Sequence, residues 1–448
     1  MYKIKTYKEH FKEITLLSLP IIGGQVGHII ASISDNVMIG HVGSTELAAV
    51  SFANNIFFTF FLIGIGLSIG LTPLVAKENV NNNKLNCRKY LKNGIITNTL
   101  FGLVLTLILF ILTFLMPYMG QPEKVTELAI PYFRLLTYSV IPYMIFLAFK
   151  QFLEGMSKPV PANMIILIAN ILNIILNYIL IFGHLGFDAL GIVGAGIATL
   201  ISRILMLVFV ILIMLKANEF KEFIVKLDLK KYSLIKMIKI TKLGIPIGLQ
   251  YFFEVGAFSA GGIIMGWVGK DQLAAHQIAL NIAAIPFLIF TGVGSAVTIT
   301  MSNYKNQNRI ENLKRSGHTA MIATIIFSAI TATIFMVFNQ FLPSLYNNEE
   351  KVIQFASTFM ILAAVFQFSD GLQAVILGIL RGMEDVKLPA IVTTISYWFI
   401  AIPLCYLLTF TLNMGGVGVW YGYLIGLTFT AGTLFYRFEY LRKKLLIL

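Results

Sequence analysis

The chain has 448 residues, of which 57% are AVILMFWYC and only 12% are charged, with a mean hydropathy of +0.81. A soluble globular protein carries about 25% charged residues, so this composition excludes that class. The net charge of +13 would suit a nucleic-acid partner, but no soluble domain exists to carry a basic face, so none is expected.

Apolar runs recur along the chain, each long enough as a helix to cross roughly 30 Å of hydrocarbon. They lack the period-2 alternation of an outer-membrane barrel. The expected class is an all-α polytopic membrane protein. The first thirteen residues, MYKIKTYKEHFKE, precede an apolar run too long for a signal-peptide h-region, so it reads as an uncleaved first span. Twelve helices are predicted at approximately 14–39, 47–76, 92–116, 128–149, 161–183, 190–215, 237–265, 272–302, 317–341, 353–380, 388–410 and 415–436.

Helix 1 carries His28 and, two turns later on the same face, Asp35, the one formally charged side chain between Glu13 and Glu46. Helix 5 carries Asn173 and Asn177 at i,i+4, with amide oxygens able to help hold a cation. Arg203 lies in helix 6, roughly 18 Å from the cytoplasmic end at 1.5 Å per residue, too deep to snorkel easily. It therefore needs an acceptor or water. The connection at 216–236 mixes lysines with Phe, Ile, Val and Leu and reads as an amphipathic helix on the cytoplasmic surface, linking two halves.

Glu254 in helix 7 is the one charge between Lys242 and Lys270, with Gln250 and Tyr251 a turn earlier on its face. Asp370 in helix 10 is the one charge between Lys351 and Arg381, flanked three residues away on either side by Gln367 and Gln373. Phe252, Phe253 and Phe366, beside these carboxylates, are placed to stack on flat cationic molecules. His276 has no partner at metal-ligand spacing, and Cys87 and Cys405 make no disulfide framework.

Of the 34 Lys and Arg, 29 fall at the termini and in even-numbered connections and four in odd-numbered ones. The positive-inside rule then puts both termini in the cytoplasm of a multi-pass protein of the cell inner membrane. The chain also repeats itself: MIGHVGSTELAA (38–49) returns 226 residues later as IMGWVGKDQLAA (264–275), Pro20 meets Pro246 at the same offset, and EGMSKP echoes RGMEDVKLP. Six spans per repeat is an even number, so the halves, taken as 1–220 and 221–448, face the same way, as parallel transporter repeats do.

Three buried carboxylates cost roughly 2.5–3.5 kcal/mol each on insertion scales, which argues that Asp35, Glu254 and Asp370 are kept for function. Each can carry a proton. Alternatively, with amide and backbone oxygens, it can hold Na⁺ at Asp35 or at Glu254 and Asp370. Competition between that ion and a cationic substrate gives antiport. No G-x-x-x-x-G-K-[ST] and no loop large enough for an ATPase domain is present, so the drive is an ion gradient and no cofactor is expected. An intramembrane enzyme is disfavoured because no H-E-x-x-H occurs and the paired polar groups are spread over both lobes.

SDNVMIG in helix 1, FFEV (252–255), LAAHQIALN (273–281) and SDGLQAVILGILRG (369–382) resemble the multidrug and toxic compound extrusion (MATE) family, its NorM-like branch above all. The resemblance covers essentially the whole chain. It implies two six-helix bundles and a monomeric antiporter, driven by Na⁺ or H⁺, that exports amphipathic cationic drugs through the bilayer by alternating access. It also implies that Asp35, beside Asn173 and Asn177, couples in the first lobe, and Glu254 with Asp370 in the second. The family site often has a tyrosine one turn before the helix-10 aspartate, where this chain has Phe366. The rival readings are a lipid-linked oligosaccharide flippase of related fold, which needs a cationic cavity, and a dedicated metabolite exporter.

Overall fold

The computed structural model describes residues 3–225, 228 and 232–447. Among them are twelve helices long and apolar enough to cross a membrane, one on each predicted position. They are α1 (Tyr7–Val42), α2 (Ser44–Val80), α3 (Lys84–Tyr118), α4 (Glu123–Gly155), α5 (Val160–Phe182), α6 (Gly191–Lys216), α7 (Leu234–Val268), α8 (Lys270–Asn306), α9 (Ile310–Val337), α10 (Glu350–Gly382), α11 (Lys387–Thr411) and α12 (Gly416–Leu446). Several run past the apolar stretch at one or both ends, because hydrogen bonding can continue into the polar flanks after the hydrophobic signal stops.

The helices are turned inside out relative to a soluble protein. In α3, Leu100, Leu103, Leu107, Ile111 and Phe114 form an exposed stripe at helical spacing, suited to lipid. In α5, Met164, Ile168, Ile171 and Ile175 are exposed while Asn163, Asn170, Asn173 and Asn177 are buried. With hydrocarbon outside, the amides are better satisfied against neighbouring helices than against lipid.

The described residues divide into two compact units. One comprises Gly23–Gly248; the other joins the chain up to Ile22 with Leu249 onward. The units therefore do not follow the expected division at 220/221. The start of α1 belongs with the C-terminal helices, and the first part of α7 with the N-terminal ones. Both crossings fall two residues after a helix-interior proline, Pro20 and Pro246, where a backbone hydrogen bond is missing and a bend is least costly. In the first unit a Cβ on Gly70 would lie 2.6 Å from the backbone nitrogen of Gly244, so only glycine allows α2 and α7 to touch there.

The repeat is visible in the backbone of each unit. Asn82 and Asn308 both have φ of 53°, and Ser157 and Glu384 have φ of 59° and 62°. A Cβ on Gly155 would meet the Thr72 carbonyl oxygen at 2.8 Å and Val75 Cβ at 2.7 Å. On Gly382 it would meet the Thr298 oxygen at 2.5 Å and Met301 Cβ at 2.7 Å. Each glycine thus makes the same close crossing at the same place in its repeat.

Part of the 216–236 connection lies outside the described residues. The described portion forms a short helix, Asn218–Val225, whose Phe220 and Phe223 are 2% exposed. Phe223 packs edge-on against Phe152 of α4 at 5.3 Å, and Glu219 and Glu222 pair with Lys158 and Lys84, each at 2.7 Å. The apolar face predicted for a surface helix is spent on the N-terminal helices instead. Cys87 and Cys405 are both buried and free.

Candidate cation-coupling and substrate sites

In the unit of Gly23–Gly248, Asp35 is brought to α5 by small residues on α1. A Cβ on Gly24 would lie 2.6 Å from Asn163 Oδ1, and one on Gly27 would lie 2.6 Å from Leu167 Cδ2. This close parallel approach delivers Asp35, further along α1, to Asn177. The Asn177 amide donates to Asp35 Oδ1 and, at 3.3 Å, to Asn173 Oδ1. Asp35 is half-buried, whereas Asn173 and Asn177 are buried. The carboxylate, two amides and the nearby Tyr132 hydroxyl, itself donating to Asn54 at 3.2 Å, form one polar patch inside spanning helices. A carboxylate ringed by neutral oxygens can exchange a proton or hold a hard cation.

His28 does not join Asp35. Its Nε2 meets the Tyr143 hydroxyl of α4 at 3.1 Å. The acceptor demanded by Arg203 turns out to be the Ser139 hydroxyl, 2.6 Å from Nη1, together with three aromatic rings. The guanidinium carbon lies 5.0 Å from the Phe57 centroid, 5.7 Å from Phe61 and 4.9 Å from Tyr143. Ser139 sits at the break between the two helical halves of α4, so the tie also bridges α4 and α6.

In the other unit, Glu254 of α7 and Asp370 of α10 are buried within electrostatic range of each other. Glu254 Oε1 accepts from Gln373 Nε2 at 3.1 Å and from the Tyr397 hydroxyl at 3.1 Å; Gln373 and Tyr397 are joined at 2.9 Å. Asp370 accepts no hydrogen bond from a described residue, so its carboxyl is the open end of the cluster. Gln250 and Tyr251 are bound instead by Arg381, whose Nη2 and Nη1 donate to Gln250 Oε1 at 3.3 Å and to the Tyr251 hydroxyl at 2.9 Å. That network places a cation close enough to act on Glu254.

Two predicted lining residues point elsewhere. Gln367 Oε1 accepts from Thr331 of α9 at 2.7 Å. Phe366 is 3% exposed, its ring edge-on to Trp420 at 5.8 Å and Phe258 at 6.2 Å, so it is a packing residue rather than a free stacking face. The phenol absent at position 366 is supplied to Glu254 by Tyr397. Sequence reasoning missed Tyr397 and the reach of Arg381. The hint for Tyr397 was Pro403 in α11: a proline inside a span disturbs the ladder, and wide π-helical turns over Ser396–Ala401 carry the tyrosine inward. His276 is buried against Trp420 and Tyr423. No cluster of three His, Cys, Asp or Glu is placed to hold a metal among the described residues.

Twelve apolar spanning helices, a doubled architecture and ionisable groups within the spans define a multi-pass membrane transporter of repeated helical bundles. The chain belongs to the MatE family: that family's sequence model matches it twice, over residues 20–179 and 246–407, one match per repeat. It is 31% identical over 444 residues to the probable multidrug resistance protein NorM of Rhizobium meliloti (strain 1021), covering 98% of this chain and 95% of that one. Its fold superposes on the outward-facing conformation of a multidrug resistance MATE family transporter with a TM-score of 0.89, at 20% identity and 99% coverage of both chains. A MOP superfamily transporter from Pyrococcus furiosus, described as having a binding pocket of reverse polarity, superposes with a TM-score of 0.88 at 20% identity, again covering 99% of both. The MATE fold is thus established, and the protein is a transporter rather than an enzyme.

Proposed function

We propose that the protein is a monomeric multidrug antiporter of the cell inner membrane that exports amphipathic cationic compounds from the cytoplasm in exchange for Na⁺ or H⁺. The observation that carries this reading is that each compact unit holds its own intramembrane carboxylate site: Asp35 with Asn177, and Glu254 and Asp370 with Gln373 and Tyr397. An anion in a spanning helix attracts a cationic substrate, and an incoming proton or Na⁺ competes for the same charge. Alternating access makes the competition vectorial. A potential of 100 mV acting on one charge supplies about 2.3 kcal/mol, enough for roughly a fiftyfold gradient. Cytoplasmic termini are supported by the bias of Lys and Arg toward the termini and even-numbered connections.

The test is reconstitution in liposomes with a fluorescent cationic drug, driven by a Na⁺ jump or a pH jump, comparing wild type with Asp35→Asn and Asp370→Asn. Movement driven only by pH and lost in Asp35→Asn assigns proton coupling to the first unit. Movement driven by Na⁺ and lost in Asp370→Asn assigns Na⁺ coupling to the second. No gradient-driven movement of several drugs in wild type would overturn the efflux reading in favour of a flippase or a dedicated exporter.

A further inference from the structure

The start of α7 is pinned to α3 by one buried amide. Asn93 Oδ1 accepts from the Ser233 backbone N–H at 2.7 Å, and Asn93 Nδ2 donates to the Lys89 carbonyl oxygen, also at 2.7 Å. This tie brings like charges together. Lys236 holds its ammonium 4.0 Å from the Tyr90 ring centroid, and Lys89 and Lys239 lie within electrostatic range of it. Glu78 of α2 acts on Lys236 from beyond ion-pair distance and is itself engaged by Asn86 at 3.1 Å. Lys84 and Lys158 are paired with Glu222 and Glu219, whereas Lys89, Lys236 and Lys239 have no ion-pair partner among the described residues. The preceding stretch 226–231, KLDLKK, adds three lysines against one aspartate.

The repeat provides an internal control. In the other unit the start of α1 meets α9 in the corresponding way: Asn312 Oδ1 accepts from the Lys5 backbone N–H at 2.8 Å, and Arg315 Nη1 donates to the Lys5 carbonyl oxygen at 3.3 Å. There each cation meets an acid of the chain. Lys5 pairs with Glu13 at 2.9 Å and Arg315 with Glu311 at 3.0 Å. At the offset of 226 residues Arg315 corresponds to Lys89, but Glu13 corresponds to Lys239 and Glu311 to Leu85. The α3–α7 corner therefore keeps the cations and lacks both anions. Like charges so collected repel, a cost that an anion from outside removes.

The apolar residues beside the lysines say which anion fits. Leu85, one turn before Lys89, and Ile235 and Ile238, interleaved with Lys236 and Lys239, are all exposed. A free ion gains nothing from them, whereas a phospholipid brings a phosphate and an acyl chain together. The corner lies at the ends of spanning helices, on the side where lysine and arginine collect, and anionic lipid attracts such juxtamembrane clusters.

We propose that the α3–α7 corner is a binding site for an anionic phospholipid, its phosphate on Lys89, Lys236 and Lys239 and its acyl chain along Leu85, Ile235 and Ile238. The lipid takes the place that Glu13 and Glu311 fill in the other repeat. The site does not depend on the coupling ion or on the exported compound.

The test is native mass spectrometry of the full-length protein in detergent, titrated with phosphatidylglycerol, with phosphatidylcholine of the same acyl chains, and with inorganic phosphate as competitor. Wild type is expected to bind phosphatidylglycerol at least about tenfold tighter than phosphatidylcholine. Lys239→Glu, which restores the acid of the other repeat, should weaken phosphatidylglycerol by about 10- to 30-fold and leave phosphatidylcholine within about twofold. Lys443→Glu makes the same charge change at the exposed end of α12 and should leave both within about twofold. If Lys239→Glu does not fold, Lys239→Gln against Lys443→Gln carries the test, a selective loss of about threefold or more being the supporting result. No preference for phosphatidylglycerol in wild type, no loss in the Lys239 variant, or equal losses in the Lys239 and Lys443 variants would overturn the site. Displacement of the lipid by an equal concentration of inorganic phosphate would overturn the lipid and leave a site for soluble anions.

Discussion

Gly378→Ala in α10 is expected to damage the protein far more than a methyl group suggests. A Cβ at that position would lie 2.7 Å from both the carbonyl carbon and the Cα of Gly294 in α8. Carbon atoms rest at about 3.5–4.0 Å, so α8 and α10 must separate by roughly 1 Å. Backbone cannot rotate away as a side-chain tip would, and overpacking of this kind costs about 1–3 kcal/mol. The shift also moves Gln373, whose bond to Glu254 is 3.1 Å, past the useful hydrogen-bonding range. Losing a hydrogen bond to a charged group adds about 1.5–3 kcal/mol, for a total of roughly 2.5–6 kcal/mol. Gly432→Ala in α12, where nothing lies within 4 Å of the new methyl, is the control. It should be neutral or stabilising by up to about 1 kcal/mol, the helix-propensity gain of alanine over glycine. The assay is the folded fraction recovered by size-exclusion chromatography after graded heating in detergent. If Gly378→Ala survives as well as Gly432→Ala, the backbone contact between α8 and α10 is not what holds the second carboxylate site.

Two further outcomes are expected. Tyr397→Phe should lower thermal stability by about 1–3 kcal/mol, because Glu254 loses one of its two donors and Gln373 loses its phenol partner, and a double-mutant cycle with Glu254→Gln should show coupling above about 0.5 kcal/mol. Phe223→Ala should release the short helix after α6 at a cost of about 3–5 kcal/mol, whereas Glu219→Gln, which breaks an exposed ion pair, should cost less than about 1 kcal/mol; urea-induced unfolding separates the two.

Much was legible in the sequence because a membrane simplifies the code. Hydrocarbon demands about twenty apolar residues per span, so the twelve helices could be counted, and a lone Asp35, Glu254 or Asp370 stands out where charge is costly. The repeat was legible because glycines at close crossings, such as Gly155 and Gly382, cannot be exchanged for larger residues without moving backbone. Residues on one helix within a turn of a carboxylate were harder. Gln250, Tyr251, Gln367 and Phe366 share a face with Glu254 or Asp370, yet Arg381, Thr331 and Trp420 on other helices decide what they bind.

The sequence by itself determined the class, the number of spans, the doubled plan and which side chains are ionisable inside the bilayer, because each follows from local hydropathy and periodicity. Only the tertiary structure decided which groups meet. It joined Asn177 to Asp35 across α1 and α5, swung Tyr397 from a π-helical turn of α11 onto Glu254, and seated Arg203 in an aromatic box instead of against an acid. It also exchanged the first stretches of α1 and α7 between the compact units. These pairings join residues tens to more than a hundred positions apart, and they depend on helix rotation and depth, which hydropathy does not encode.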